Sequence, residues 1–535
     1  MAGKSKTGAG RSRIGRRGFL KTAAVGVLAG AGSRFVPSAL SIPTAAAQTP
    51  RAGGTLRVAV AMEPFAPAFD LHRIRTLVTS RMGYLAYNGL VNMDANRNVV
   101  PDLATSWEQP DPTTYVFELR KDVEFHDGTP CDAAAVKFNI ERLADPKTAS
   151  PKRADFTIIQ STDVLDKNHL RIKLAEPFMP MLSTFRRSYF SVISPTAIEK
   201  LMATDPFKAS IGTGPFRFTS YTRGDKVLLE RNKSYWDRQV YLDGIEFRII
   251  PEQATSKAAL EAGELDCVMQ TNPTYGAEIA ATPSLQLLNA PSAIYDYMAF
   301  NVTRDPFKDK RVRQAFSMAI DREGIAQAVY RGYAIAAQGA ISPALKAFYR
   351  DNSDIPFQKY DPDHAKALLK QADFPFDKEL RFDTFADAPW GQVGDALAAQ
   401  ISALGVKLKI VKPDFNTFAK YFYGPKDYWL GNSSWTTGGV DPDGLLYKQF
   451  VTGEAINFGN YSNPELDKIL KAARTERDQG KRADLYNQAN RLVMEECYVA
   501  FLVHPTLIEG MRKAVHGYAF RDESAGPYDD CWLER

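Results

Sequence analysis

The sequence is poor in the residues that hold metals and form redox centres. Only 4 of its 535 residues are cysteine and only 6 are histidine. The cysteines lie far apart without a Cys-x-x-Cys pair, and no two histidines are spaced as a metal-ligand pair. We therefore expect no zinc site, no redox pair and no bound cofactor. The sequence leaves open whether any of the cysteines pair with one another: Cys131, Cys267, Cys497 and Cys531.

Beyond residue 47 the chain also lacks an excess of positive charge. The formal net charge of the whole chain is +5, but residues 1–47 hold eight Lys or Arg and no Asp or Glu. The remainder has 59 basic against 62 acidic side chains, a net charge of −3. A nucleic-acid binder relies on clustered cations that meet phosphates. The sequence therefore argues against nucleic acid as a partner.

The common signatures of hydrolases are missing. There is no Gly-x-Ser-x-Gly, no His-Glu-x-x-His and no Ser-x-x-Lys beside a partner motif. Scattered Asp and Glu residues could still form the carboxylate pair of a glycosidase, which spacing in the sequence does not exclude. We therefore expect a protein that is not an enzyme and keep a secreted, glycosidase-like hydrolase of a small polar substrate as the alternative.

The N-terminal segment is typical of an export signal. It has the basic run Arg16-Arg17-Gly18-Phe19-Leu20-Lys21, a short apolar stretch over 22–32, and Ala45-Ala46-Ala47 before Gln48. This order resembles a twin-arginine signal with a small-residue cleavage site. We predict a signal peptide over 1–47 and a linker over 48–52. The first cysteine is Cys131, so we expect a soluble protein of the periplasm without a lipid anchor.

Hydrophobic periodicity indicates a mixed α/β chain. The segment 55–61 alternates apolar and other residues as a strand does, and several further strand patterns are separated by amphipathic helical patterns. A helix start is predicted at Asn463-Pro464-Glu465, because Asn caps helices, Pro suits the first helical position and Glu favours the positive end of the dipole. At about 150 residues per domain, the length allows roughly three domains.

A series of motifs in a fixed order covers nearly the whole exported chain. Together they resemble the extracytoplasmic solute-binding proteins of the peptide, opine and nickel class of ABC importers, also called solute-binding protein family 5. Each motif is weak by itself, and their order carries the resemblance. They include Gly53-Gly54-Thr55-Leu56-Arg57, Pro101-Asp102-Leu103-Ala104-Thr105, Phe125-His126-Asp127-Gly128-Thr129-Pro130, Gly212-Thr213-Gly214-Pro215-Phe216, Asp441-Pro442-Asp443 and Tyr461-Ser462-Asn463-Pro464-Glu465.

The resemblance implies an α/β fold with two lobes, mixed sheets and flanking helices. An extra inserted domain would enlarge one of the lobes. Hinges are expected near Tyr297–Val302 and Leu507–Met511. The implied bounds are lobe I from 53–88, 189–298 and 505–535, the inserted domain from 89–188, and lobe II from 299–504.

The same resemblance implies a monomeric receptor without catalytic activity. Such a receptor captures a peptide-like or other polar organic solute in the cleft between the lobes and delivers it to the membrane permease subunits of an ABC importer. Closing of the lobes on the solute is the expected signal, because a ligand stabilises the closed state only by its preference for that state. A cleft that holds unfolded peptide in a chaperone-like role is a further possibility.

One segment of the sequence indicates which class of ligand the protein binds. In family members that bind peptides, an Asp three residues after a Trp pairs with the amino terminus of the peptide, and here Gly438 stands three residues after Trp435. The loop 385–391, where a dipeptide binder has an Arg for the peptide carboxylate, has no Arg. Loss of both charged anchors disfavours short zwitterionic peptides. A longer or modified peptide, an opine, a glycoside or another polar metabolite fits better.

Further candidates for the cleft follow from side-chain chemistry. Aromatic rings give contact area at small entropic cost, which favours Trp435 and Trp390 as platforms. Tyr295 and Tyr297 precede an expected crossover, and Asp441 either caps a turn or binds ligand. Arg186 and Arg187 could anchor an anion or form a surface pair, and a nickel chelate is not favoured because no histidine pair is close-spaced. The sequence does not identify the ligand, its affinity or the cognate permease.

Overall fold

The computed structural model describes residues 49–64, 69–74, 76–436 and 440–534. Its strands are β1 Thr55–Val60, β2 Val91–Met93, β3 Val99–Pro101, β4 Ala104–Asp111, β5 Thr114–Leu119, β6 Ile159–Val164, β7 His169–Leu174, β8 Phe216–Thr222, β9 Lys226–Arg231, β10 Gly244–Ile249, β11 Cys267–Val268, β12 Leu285–Ala290, β13 Tyr295–Phe300, β14 Ala334–Ala336, β15 Glu379–Asp383, β16 Lys407–Val411, β17 Leu430–Trp435, β18 Val499–Phe501, β19 Val503–Pro505, β20 Leu507–Arg512, β21 Val515–His516 and β22 Trp532–Leu533.

Helices separate many of these strands, as the sequence predicted. They are α1 Leu77–Ala86, α2 Ala133–Ala144, α3 Met181–Thr184, α4 Pro195–Leu201, α5 Gln253–Glu261, α6 Pro273–Ala281, α7 Lys310–Met318, α8 Arg322–Ala328, α9 Pro362–Gln371, α10 Trp390–Ala403, α11 Phe415–Phe422, α12 Asp443–Phe450, α13 Pro464–Thr475 and α14 Gln479–Glu495. Among the described residues, none of these helices is long and apolar enough to cross a bilayer.

Lobe I is built on a seven-stranded mixed sheet in the order β12-β20-β11-β1-β10-β9-β8. Strand β1 lies near its centre and runs parallel to both β10 and β11. The alternation of β1 puts Leu56, Val58 and Val60 into the core, where each is at most 1% exposed. The predicted strand at 55–61 is therefore confirmed over Thr55–Val60. It forms the middle strand of this sheet.

The inserted domain is built on an antiparallel sheet in the order β4-β5-β7-β6, which packs against α2. Asp132 begins α2, because its side chain accepts hydrogen bonds from the backbone N–H groups of Ala134 and Ala135. The chain then reaches the side of the molecule that faces lobe II through the loops after α2 and after β7. These loops supply much of one wall of the cleft described below.

Lobe II is built on a five-stranded sheet in the order β16-β15-β17-β13-β18, flanked by helices that include α10, α13 and α14. The predicted helix start at Asn463 is confirmed, since its side chain accepts from the N–H groups of Glu465 and Leu466. Leu466, Leu470 and Ala473 of α13 then lie in the core of the lobe. This side of α13 is therefore a packing face.

The chain crosses between the lobes at two adjacent places. It leaves β12 at Ala290 and enters β13 at Tyr295, and it returns from β19, which ends at Pro505, to β20 at Leu507. The crossovers are thus 291–294 and 506. The first lies a few residues before the predicted hinge near Tyr297–Val302, and the second directly precedes the predicted hinge near Leu507–Met511. The predicted boundary at 298 and 299 falls inside β13, whose partners β17 and β18 are both strands of lobe II. The other residue bounds of the lobes stay a prediction.

All four cysteines lie within the described residues, where they are buried and form no disulfide. Burial raises the pKa of the Cys131 thiol well above its usual value. A thiol of this kind is a packing group and not a nucleophile. The question that the sequence left open is thereby answered in favour of four free, buried cysteines.

Candidate functional site

A cavity lies between the inserted domain and lobe II, with parts of lobe I at its base. It encloses about 250 Å³ of space that a water molecule can enter. Leu77, Ser80 and Ser524 represent lobe I in its lining, and the loops of the inserted domain contribute Phe178 and its neighbours. Lobe II contributes residues between Trp435 and Ile456. A concave site lined by both lobes is where a two-lobed receptor holds its ligand.

Trp435, the last residue of β17, lies in this lining. Its indole Nε1–H donates to the carbonyl oxygen of Gly444, 3.1 Å away. The ring of Phe458 meets it edge-on at 5.9 Å between centroids. The indole is therefore fixed from two sides and remains only partly buried. Such a ring provides a preorganised apolar surface for a ligand.

Asp441 lies in the same wall but is occupied by a partner from its own lobe. The two guanidinium nitrogens of Arg482 contact its two carboxylate oxygens, each at 2.8 Å. Asp441 also accepts from the backbone N–H of Asp443 at 2.9 Å, so it caps the first turn of α12. Burial alone would lower the pKa of Arg482, but the charges and hydrogen bonds of its neighbours, Asp441 first among them, together outweigh burial and keep that pKa above its usual value. Asp441 is therefore already paired with a cation of its own lobe.

Asp443 repeats this arrangement with a second arginine. Arg474 makes two hydrogen bonds of 2.9 Å to its carboxylate oxygens. The guanidinium also stacks on the ring of Tyr447, 3.3 Å from its centroid. Burial would lower the pKa of Arg474, yet its hydrogen bonds to Asp443, the charge of Asp443 and the neighbouring tyrosines together raise that pKa above its usual value. Trp435, Asp441 and Asp443 lie on the same side of the cavity, which we call the Trp435 wall. Among the described residues of this wall, both carboxylates are therefore paired with an arginine of lobe II.

The opposite wall carries two cations that are anchored to the protein. The Lys152 ammonium donates to the carbonyl oxygens of Leu71 at 2.9 Å and of Tyr189 at 2.7 Å. Arg186 lies 3.7 Å from Asp522 and stacks 4.9 Å from the centroid of the Tyr189 ring. These side chains are nearly buried, at 2% and 4% exposure for Lys152 and Arg186. They line the cavity as fixed groups with little freedom to follow a ligand.

Several hydroxyls in this wall have already used their single proton. Ser183 Oγ and Thr184 Oγ1 both donate to the carbonyl oxygen of Pro180, at 2.8 and 3.0 Å. Ser188 Oγ donates to Asp522 at 2.7 Å. A hydroxyl that donates inward retains only acceptor lone pairs. This part of the cavity is therefore suited to a ligand that brings N–H or O–H donors.

Arg187 has a structural role. It is fully buried, 3.4 Å from Asp529, and its guanidinium stacks on the ring of Tyr84 at 4.2 Å. The alternative of a surface pair for Arg186 and Arg187 is wrong, because both lie inside the protein. Of the two, Arg186 lines the cavity.

Three other predicted site residues do not belong to the cavity lining. Tyr295 and Tyr297 lie in the core of lobe II, and Trp390 is partly buried against that core. Tyr295 and Tyr297 are 0% and 1% exposed, because β13 is an inner strand that is covered on both faces. Trp390 begins α10 and packs on Phe385 at 5.5 Å between ring centroids. Gly438 lies outside the described residues. Ligand contact by any of the predicted residues stays a prediction.

Apart from Arg186, sequence reasoning missed the residues of the inserted-domain wall, and it missed the arginines behind Asp441 and Asp443. Asp155, Phe178 and Lys448 all line the cavity, yet they come from loops and helices up to 293 residues apart. None of them belongs to a motif that the resemblance singled out. Only the three-dimensional packing of the inserted domain on lobe II brings them together.

A family model named "Bacterial extracellular solute-binding proteins, family 5 Middle" matches residues 98–457. The chain belongs to this family. The glutathione-binding protein GsiB of Salmonella paratyphi A is 28% identical over 466 residues, which are 84% of this chain and 89% of that protein. The dipeptide-binding protein of Escherichia coli K12 is also 28% identical, over 81% of this chain and 86% of its own.

Solved structures agree with this membership. The binding protein DppA of Helicobacter pylori, in complex with the peptide STSA, is 25% identical, with a TM-score of 0.78 over 91% of this chain and 99% of that one. The oligopeptide-binding protein AppA of Bacillus subtilis, with a nonapeptide, has a TM-score of 0.80 at 23% identity, over 91% of this chain and 100% of its own. The two-lobed α/β fold is thereby confirmed.

Membership in family 5 also confirms the expected role. The chain is a substrate-binding receptor that delivers a solute to the permease subunits of an ABC importer, and it is not an enzyme. The alternative of a secreted hydrolase is wrong. The cavity between the lobes is thus the candidate site of solute capture.

Proposed function

We propose that the cavity binds a small, peptide-like or otherwise polar organic solute that carries no free charged amino terminus at the Trp435 wall. The observation that carries this proposal is the pairing of Asp441 with Arg482 and of Asp443 with Arg474, each through two short hydrogen bonds. A free carboxylate is what would recognise an ammonium group. Both carboxylates of this wall already have a cation.

The energetics of buried ion pairs support the proposal. Arg482 already donates to both carboxylate oxygens of Asp441. A ligand ammonium that takes the place of Arg482 breaks a buried pair, and removing one partner of such a pair costs about 3–5 kcal/mol. Gly438, three residues after Trp435 in the sequence, brings no carboxylate of its own. A zwitterionic dipeptide would therefore leave its ammonium without a counter-ion in a partly dehydrated cleft.

The remaining groups indicate what a ligand gains here. Trp435 offers an apolar ring, and the hydroxyls of Ser183, Thr184 and Ser188 offer acceptor lone pairs. A terminally modified peptide, an opine or a glycoside has both an apolar face and several N–H or O–H donors. Structural neighbours include a protein solved with agropinic acid from A. tumefacien R10, at 24% identity and a TM-score of 0.79 over 90% of this chain and 99% of its own. Ligands other than free peptides are therefore compatible with this fold.

Two measurements test the ligand class. Native mass spectrometry of protein purified from its own periplasm should reveal a co-purified solute, which is then identified. Calorimetry should next compare a tripeptide with free termini to the same tripeptide with an acetylated amino end and an amidated carboxyl end. We expect the blocked form to bind at least about tenfold more tightly, since about 1.4 kcal/mol separates the two at that ratio. Equal or tighter binding of the zwitterion would contradict the proposal.

We also propose that the receptor reaches the periplasm by twin-arginine export. The supporting pattern is the Arg16-Arg17 pair followed by the apolar stretch and the alanine run, all outside the described residues. Replacing both arginines, Arg16→Lys with Arg17→Lys, should leave the precursor in the cytoplasm. The matched control is Arg11→Lys with Arg13→Lys, which should be exported normally. Normal delivery of the first variant would refute this route.

We further propose that closing rotates the lobes about the crossovers at 291–294 and 506. The support is the sheet to which each flanking strand belongs. Strands β12 and β20 belong to the sheet of lobe I, whereas the chain enters lobe II through β13 and leaves it through β19. A few residues at element ends can absorb such a rotation. Small-angle scattering should show compaction when the co-purified solute is added to the emptied receptor. An unchanged radius of gyration would contradict closing on the ligand.

A further inference from the structure

We propose that Lys448 and Asp155 form a latch across the cavity that favours the closed receptor before any solute has bound. The latch changes the balance between open and closed lobes and does not contact the solute. The inference rests on the receptor role of the chain but not on the proposed ligand class. It follows from contacts between the inserted domain and lobe II.

The ion pair joins two parts of the chain that the cavity separates. Lys448 belongs to α12 of lobe II, and Asp155 lies in the loop between α2 and β6 of the inserted domain. The ammonium nitrogen is 2.6 Å from one carboxylate oxygen of Asp155 and 2.7 Å from the other. It therefore sits between both oxygens, which is a favourable geometry for a charge-assisted bond.

The pair is sheltered and its carboxylate is held in place. The side chains of Lys448 and Asp155 are only 17% and 9% exposed. The hydroxyl of Tyr189 donates to the same carboxylate at 2.5 Å. Salt screens a sheltered pair less than a surface pair, and a fixed carboxylate loses little entropy on pairing. The contact should thus contribute more than an exposed salt bridge does.

A second contact between the inserted domain and lobe II lies beside the cavity. The backbone N–H of Met179, in the inserted domain, donates to the carbonyl oxygen of Arg474 in α13 at 3.0 Å. The guanidinium of Arg474 is 5.0 Å from the ring of Phe178. Both contacts join the inserted domain to lobe II, so a rotation that opens the cavity has to break them. They are contacts of the closed state only.

Contacts made only in the closed state shift the equilibrium between open and closed forms by their full contribution. The latch therefore raises the closed fraction of the empty receptor. If the solute binds the closed form, its apparent affinity rises in proportion to that fraction. The inserted domain would then tune affinity through Asp155 without touching the solute.

The experiment uses the full receptor stripped of ligand. Spin labels are attached to Lys167→Cys in the inserted domain and Lys471→Cys in lobe II, since both lysines are exposed while all four native cysteines are buried. Electron–electron distance measurements then report the closed and open populations. We expect the unlatched variant Lys448→Met to lower the ratio of closed to open by about tenfold, as the loss of a charge-assisted bond implies.

The matched control is Lys412→Met. It also removes a lysine of lobe II from an ion pair, with Asp395 at 2.7 Å, but this pair lies within one lobe. The control should leave the populations unchanged. The exchange of both charges, Lys448→Asp with Asp155→Lys, should restore the closed fraction. The same shift in both lysine variants, or no rescue by the exchange, would overturn the latch.

Two further measurements test the latch if Lys448→Met folds poorly. Asp155→Asn preserves the shape of the side chain and should also shift the receptor toward the open form. In the receptor with native Lys448 and Asp155, the closed fraction should persist largely in 1 M NaCl, because a sheltered pair is screened much less than an exposed one. An empty receptor that is entirely open in low salt would refute the proposal. None of these results depends on whether the blocked tripeptide binds, so the two proposals fail separately.

Discussion

His504 and Ile294 join the two crossovers of the receptor. The Nδ1 of His504 lies 2.9 Å from the carbonyl oxygen of Ile294, and because a carbonyl only accepts, Nδ1 carries the proton. Ser292 Oγ donates to the carbonyl oxygen of Pro505 beside this bond. The segment that enters lobe II and the segment that leaves it are thus tied to each other. We expect them to move as one unit when the cavity opens.

The first prediction concerns the stability of the receptor in mild acid. Burial lowers the pKa of His504 to about 4. The unfolded chain has the ordinary value of about 6.5, so between these values it binds a proton that the folded chain does not bind. Stability therefore falls as the pH drops from about 6.5 to about 4. His504 alone should account for a loss of about 2 kcal/mol at pH 5.

Urea unfolding of the unmodified receptor and of His504→Gln at pH 7 and pH 5 checks this. The variant should be less stable at pH 7, since it lacks the imidazole contact, but should lose less stability on acidification. The exposed His364 of α9 provides the control His364→Gln, which should keep the full acid sensitivity. If His504→Gln loses as much stability as the unmodified receptor between pH 7 and 5, the buried imidazole is not the cause.

The sequence predicted helices and strands well where residues close together in the chain determine them. The cap at Asn463 and the alternation of β1 each involve residues within a few positions of one another, and both are as expected. Strand β13 differs, because all six of its residues are buried and no alternation marks it. A strand covered on both faces looks like any short apolar run. No local pattern therefore marked where this strand begins, and the hinge that the resemblance implied falls partly inside it.

The second prediction uses the two tyrosines of β13 as a matched pair. Tyr295 Oη donates to Gln449 at 2.5 Å, whereas the hydroxyl of Tyr297 has no hydrogen-bond partner among the described residues. Tyr295→Phe should lower the free energy of unfolding by about 1 kcal/mol, because it strands a buried amide. Tyr297→Phe should leave it unchanged or raise it, because it removes an unsatisfied hydroxyl.

Thermal unfolding of both variants is the measurement, and neither should change ligand affinity more than a few-fold if both tyrosines act through packing. A larger stability loss for Tyr297→Phe than for Tyr295→Phe would mean that the hydroxyl of Tyr297 is satisfied by an internal water. A strong loss of ligand binding without loss of stability would instead support the role in the cleft that the sequence predicted for Tyr297.

The candidate site was predictable only in part, for a physical reason. Trp435 and Asp441 lie in one continuous segment, and the motif that contains them drew attention to it. Their partners come from elsewhere, since Arg482 is 41 residues from Asp441. The resemblance pointed to the missing carboxylate at Gly438, but only the structure shows that the nearby carboxylates are neutralised. Charge pairing of this kind depends on how the helices pack, so no fixed spacing of residues in the sequence reveals it.

The third prediction concerns the pair of Asp441 and Arg482. Their side chains are 14% and 8% exposed, so Arg482→Leu leaves a largely buried carboxylate without a cation. We expect the free energy of unfolding to fall by about 3–5 kcal/mol. The double variant Asp441→Asn with Arg482→Leu should recover most of this loss, because it removes the stranded charge.

Urea unfolding with a double-mutant cycle measures the coupling. The control is the exposed pair of Arg491 and Asp354, at 33% and 64% exposure, where Arg491→Leu should cost no more than about 1 kcal/mol. If the double variant is as unstable as Arg482→Leu alone, the ion pair is not what stabilises this wall. The argument that the Trp435 wall repels an ammonium group would then lose its basis.

The last prediction separates binding from stability at Trp435. The indole lines the cavity and remains partly exposed, so most of what it contributes to the empty protein is one hydrogen bond to Gly444 and its contact with Phe458. A ligand that stacks on the ring loses a large contact area in Trp435→Ala. We expect the Kd for the co-purified solute to rise at least about tenfold. The melting temperature should fall by only a few degrees, because the indole packs at the edge of the lobe II core and stays partly exposed.

Trp429→Ala is the matched control. Trp429 is also a partly buried tryptophan of lobe II, but it packs under Arg304, 4.3 Å from the ring centroid, at the opposite end of β17 from Trp435. It should lower the melting temperature by a similar amount and leave the Kd unchanged. Calorimetry and thermal unfolding on both variants give the comparison. An equal change of Kd in the two variants would show that Trp435 acts through the stability of lobe II, and the cavity between the lobes would lose its best-defined ligand platform.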